Sequence, residues 1–176
     1  MNKLVLGLVA LLFTGAASAH DAKKDETVNI ENGSVSVIWQ SPDHYRDIKS
    51  SGELQSRFQA RLFKDLTKSL SKEAKKVLKS KQKLQMIVTD VDLAGDVRPS
   101  FGAGASDLRV VKDVYPPRFK FTYKVTQEGK VLATGKENIS DLGFLDRIQP
   151  AFDRPFKYET HLLNSWMDKM AKTKLK

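Results

Sequence analysis

Three carboxylates, Asp90, Asp92 and Asp96, stand within seven residues beside Gly95. A second polar group, Asp107, Arg109, Asp113 and Arg118, follows a Gly-rich connection and is punctuated by Pro116-Pro117. Closely spaced oxygens suit a hard cation. Paired carboxylates can divide acid and base work when their surroundings separate their proton affinities. Arginines offer planar forks to carboxylate or phosphate. The spacing does not fit an EF-hand loop, which needs oxygen ligands at the positions held here by Ala94 and Phe101. A looser carboxylate site is one reading. The more ordinary one is that these acids cap backbone amides or pair with Arg98, Arg109 or Arg118. Asp90 and Asp92 share a face if both lie in a strand, yet no nucleophile accompanies them. Asp90, Asp92, Asp96, Arg98, Asp107, Arg109 and Arg118 are therefore candidate contact residues rather than catalytic or metal-binding ones.

The rest of the chain adds little chemistry. The histidines are His20, His44 and His161. His20 would begin the mature chain, where an amine and an imidazole together can bind copper or zinc, but it has no identifiable partner. His161 falls near the apolar stripe of a terminal helix, which suggests a core or boundary place. There is no Ser/His/Asp elbow, zinc motif or phosphate loop, and no cofactor is expected. With no cysteine, thiolate chemistry, disulfides and lipid attachment through cysteine are excluded.

Elements must position these residues. Residues 84–91 read as a buried strand that delivers the acids at its end, a common place for sites in α/β proteins. Residues 34–40 alternate, with Val35, Val37 and Trp39 on one face, and form a first strand. Between them, Leu54, Phe58, Leu62, Leu66, Leu70 and Val77 make one apolar stripe of a helix, with Lys64, Lys68, Lys72, Lys75, Lys76 and Lys79 opposite. Ser50 and Glu53 have capping-box spacing for its start. Ser71 could cap a second short helix after a break near residues 69–72. Strand, helix, strand is the pattern of a parallel crossover, which pairs the two strands directly or one strand apart.

Residues 102–105 read as a mobile loop, and residues 108–111 as a short edge strand. Residues 118–126 alternate cleanly: Phe119, Phe121, Tyr123 and Val125 point one way, and Arg118, Lys120, Thr122 and Lys124 the other. A turn at 127–130 returns the chain as an antiparallel strand, 131–139. After a loop, a terminal helix over 155–172 buries Tyr158, Leu162, Leu163, Trp166, Met167 and Met170. The predicted fold is an α/β (α+β) two-layer sandwich, with a mixed four- to five-stranded sheet and two main helices on one face.

The N-terminus reads as an address. Lys3, a short apolar run at 4–13 and Ala17-Ser18-Ala19 form a signal peptide, cleaved after Ala19. The run falls short of the about 20 apolar residues that span a bilayer, so no transmembrane segment is expected after cleavage. Residues 20–33 lack an apolar period and read as a flexible leader, leaving 34–176 as a single domain. Without Lys3 the chain keeps 29 basic and 21 acidic residues, a net +8. That balance favours anionic neighbours, while export to the periplasm argues against nucleic acid. The plainest role of the charge is solubility.

TDVDLAG at 89–95, DLRVVKDVYPPRF at 107–119 and KYETHLLNSWM at 157–167 resemble a family of small exported proteobacterial proteins catalogued only as a domain of unknown function. The resemblance covers nearly the whole mature chain and implies an exported single-domain protein. It implies no activity, cofactor or catalytic residue. The function expected is noncatalytic: binding of an envelope protein or anionic envelope component through residues 90–118. The alternative is a metal-dependent or carboxylate-based hydrolase using Asp90, Asp92 and Asp96. A third reading is adhesion of the lysine ridge to an anionic membrane.

Overall fold

The computed structural model describes residues 26–101, 107–146 and 154–175. The expected signal peptide and the Gly-rich loop at 102–105 lie outside the described residues. A mixed sheet of five strands carries two long helices on one face, with a separate two-stranded hairpin at one end. The strand order is β1 (Thr27–Asn32), β2 (Val35–Gln40), β3 (Gln82–Asp92), β6 (Arg118–Gln127), β7 (Lys130–Ser140). β2 and β3 are parallel and directly adjacent, joined through helix α1 (Gln55–Val77); the other neighbours are antiparallel. Strands β4 (Asp96–Arg98) and β5 (Leu108–Val110) pair with each other, and helix α2 (Lys157–Lys174) closes the chain.

The core is the one that alternation predicts. Val35, Val37, Trp39, Leu84, Met86, Val88, Phe119, Phe121, Tyr123 and Val125 are buried under the helices. From α1, Phe58, Leu62, Phe63, Leu66 and Leu70 pack down, and Phe63 stacks on Trp39 at 4.5 Å between ring centroids. From α2, Trp166 sits edge-on to Phe121 and Tyr123, at 4.7 and 5.1 Å. Offset and edge-to-face rings of this kind add to the area they bury. The turn between β6 and β7 has Glu128 and Gly129 at φ of 50° and 83°, the paired positive values of a tight hairpin turn.

Four expectations are corrected. Thr27–Asn32, inside the stretch read as a leader, is the edge strand β1; only Val28 and Ile30 alternate there, too little for a local signal, and pairing with β2 supplies the rest. Ser50 and Glu53 do not cap α1. The Ser50 hydroxyl accepts from the Glu53 amide a turn early, and Gln55, the first helical residue, reaches back to the Ser50 N–H at 2.9 Å. α1 runs unbroken through 69–72, because the Ser71 hydroxyl donates to the Asn32 carbonyl at 2.9 Å and ties the helix to β1. Finally, β5 is no edge of the main sheet, since its partner is β4.

Candidate functional site

A bulge decides which way the acids of β3 point. Val88 pairs with Phe121 and Asp90 with Lys120, which leaves Thr89 as an extra residue. Without it, the alternation that buries Leu84, Met86 and Val88 would bury Asp90 as well. The extra residue resets the phase, so that Val91 is buried and Asp90 and Asp92 share the helix-free face. There they meet cations. Asp90 accepts the Arg46 backbone N–H at 2.9 Å through Oδ1, and its Oδ2 lies 3.2 Å from Lys120 Nζ. Asp92 Oδ2 lies 3.6 Å from an Arg46 guanidinium nitrogen, and Arg118 stands opposite Asp92 on β6. Burial pushes the Asp92 carboxyl above the usual carboxylate range, with Asp47 and Asp90 adding to the rise and Arg46 and Arg118 opposing it. Burial, with Asp90 nearby, likewise pushes the Tyr45 phenol well up; its hydroxyl donates to the Val88 carbonyl at 2.9 Å, next to the bulge.

Arg109 has a different job. Its guanidinium grips Asp47 through two bonds, 2.8 and 3.3 Å, and donates to the carbonyls of Lys49 at 2.8 Å, Gly95 at 3.2 Å and Ala94 at 3.4 Å. Both side chains are mostly buried, with 17% and 15% exposed. Asp47 is itself bridged to β3, donating its N–H to Val91 and accepting from Leu93. Arg109 therefore pins the hairpin β4–β5 to the end of β3. Gly95 makes the approach close enough: its φ is +86°, and a Cβ there would stand 2.7 Å from the Val110 carbonyl oxygen. Beneath, the Ala94 N–H donates to Glu159 Oε1 at 2.7 Å, which ties α2 to the same corner. Glu159 is 4% exposed, and burial raises its proton affinity against the opposing pull of the Ala94 amide and Arg109.

The hairpin held this way carries exposed apolar side chains: Phe101 just beyond β4, Leu108 in β5, and Val111 and Val114 after it. Phe101 is 96% exposed and Val114 67%. Arg98 stands among them, paired with Asp96 at 3.1 Å and donating to the Tyr115 hydroxyl at 2.7 Å. Asp107 is exposed at the start of β5.

All seven sequence candidates thus lie at one end of the sheet or on the hairpin fixed to it, but they do not converge on one pocket. Asp90 and Asp92 face Arg46, Arg118 and Lys120; Arg109 is consumed internally; Asp96 and Arg98 hold each other. Among the described residues no group of three or more His, Asp or Glu side chains could hold a metal ion. Sequence reasoning missed Arg46, Asp47 and Glu159. Arg46 and Asp47 sit in an irregular stretch with no period to read. Glu159 did leave a signal, an acid three and four positions before Leu162 and Leu163 on the buried stripe of α2. Two expectations on α2 also change. His161 is exposed and bonded to the Ser165 hydroxyl at 3.2 Å, and Tyr158 is only half-buried.

This sheet, braced hairpin and pair of helices define a small α+β domain. The chain belongs to the family described as Protein of unknown function (DUF3016), whose model matches residues 33–169. No curated protein and no solved structure matches it. No helix among the described residues is long and apolar enough to cross a membrane.

Proposed function

We propose that this chain is an exported, periplasmic, noncatalytic binding domain that holds an envelope protein through the hairpin β4–β5. The observation that carries this reading is the exposure of Leu108 on a short hairpin that Arg109 and Asp47 brace from beneath, and of Phe101, Val111 and Val114 in the chain that flanks its strands. Several exposed apolar side chains on one local segment are the kind of surface that partners cover, and bracing lowers the ordering cost of binding. Arg118, at the neighbouring end of β6, adds positive charge for acidic groups on the partner. Arg118 keeps the contact role read from the sequence, whereas Arg109 becomes the support.

The test places a photo-cross-linking residue at position 108 or 114 of the full exported chain, with position 85 on the sheet as control. Discrete adducts from 108 and 114 that disappear with Val111→Asp are expected. The same adducts from position 85 would contradict the assignment. Cell fractionation and the N-terminal mass of the mature chain test export and cleavage after Ala19.

A further inference from the structure

The β7 edge of the sheet offers a second surface. β7 is the outermost strand and pairs only with β6, so its outer side has no ladder partner among the described residues. α2 lies over β6, with Trp166 against Phe121 and Tyr123. α2 also contacts β7, and a groove of about 490 Å³ lies between the two. Its floor is Tyr123, Leu162, Trp166 and Met170, and Glu137 and Lys169 stand at its sides. Gly135 belongs to this geometry: a Cβ there would stand 2.5 Å from the Tyr123 ring, so that ring lies across β7 only because the strand has no side chain at this point.

The groove lies where the inward-facing side chains of an eighth strand would go. In a sheet, alternate residues of an added strand point to the same face as Gly135, Glu137 and Ile139, about 4.8 Å beyond them. They would enter the space flanked by α2. Lys169 and Lys174 line that space and are held in no ion pair among the described residues.

We propose that β7 and the flank of α2 form a site for an extended peptide of about six residues that adds a strand to the sheet. Its alternate apolar side chains fill the groove, and an acidic residue meets Lys169 or Lys174. Main-chain bonds to β7 give affinity and the groove gives the pattern. The site is separate from the hairpin surface, so the two can fail independently.

The full chain would be panned against a random twelve-residue peptide library, with Ser165→Trp and Lys169→Glu as counter-selected variants. Ser165 and Lys169 are both exposed, so these changes leave the core intact. Enriched peptides should alternate apolar residues with at least one Asp or Glu. They should bind each variant at least tenfold more weakly, bind Lys172→Glu as they bind wild type, and slow hydrogen exchange at β7 amides. Peptides that bind all variants equally, or that leave β7 exchange unchanged, overturn the proposal. So does concentration-dependent protection of β7 without peptide, which would show a second copy of the chain on this edge.

Discussion

The end of β3 and the outer edge of the sheet at β7 make opposite use of polar groups. At the end of β3, each acid has a cation or amide in place: Asp47 with Arg109, Asp90 with Lys120 and the Arg46 amide, Asp92 beside Arg46. Along β7 and α2, one side of a strand has no ladder partner and two lysines have no acid among the described residues. A dense cluster of charges in a sequence is therefore a poor guide to an open site here, because mutual attraction closes such a cluster on itself. What that closure provides is position. It fixes a hairpin with exposed apolar side chains to the end of β3.

This contrast can be broken most severely at Arg109. Arg109→Ala leaves Asp47 mostly buried and uncompensated and strands three carbonyls, which should cost about 3 kcal/mol. Arg118→Ala, which removes a charge near Asp92 but no side-chain hydrogen bond among the described residues, should stay within about 0.5 kcal/mol. Denaturant unfolding of both variants checks the pair, and equal losses would erase the distinction between brace and contact. Gly135→Ala, on the other side of the comparison, forces the Tyr123 ring to move. A loss of about 2 kcal/mol is expected from such overpacking, read as a lower melting temperature together with altered Trp166 fluorescence. An unchanged melting temperature would mean the groove is not shaped by that ring.

The smallest effect is a pH dependence. Burial raises the proton affinity of Glu159 in the folded chain above its ordinary value of 4.5. The stability from this group is then complete below that value and is lost as pH rises through the folded value. Glu159→Gln cannot ionise and still accepts the Ala94 N–H. Its melting temperature relative to wild type should be lowest in acid and climb as pH rises above the ordinary carboxyl value of 4.5. A difference that is flat with pH would show that Glu159 is not desolvated.

The main sheet was legible because its strands obey local rules. Val35, Val37 and Trp39, or Phe119 to Val125, announce a strand by alternation alone, and the four-residue steps from Phe58 to Leu70 announce α1. The parallel pairing of β2 and β3 followed from the intervening helix. The brace was not legible, since Asp47 and Arg109 are 62 residues apart and Asp47 lies in a stretch with no period. The bulge at Thr89 was hidden for a related reason: nothing in residues 88–91 says that β6 will skip one of them. β1 shows the limit of periodicity, because two alternating apolar residues carry too little signal until β2 lies beside them. Arg109 reads from the sequence as an anion contact, whereas its side chain is engaged inside the domain, because a guanidinium's partners are set by the fold and not by its neighbours in sequence.

The Asp47–Arg109 pair supports the hairpin, and a double-mutant cycle tests that role most directly. Unfolding of Asp47→Asn, Arg109→Ala and the double variant should give a coupling of about 2 kcal/mol. The double variant should then be little worse than Arg109→Ala alone. Strictly additive losses, with a coupling near zero, would contradict the account and leave the hairpin without its brace.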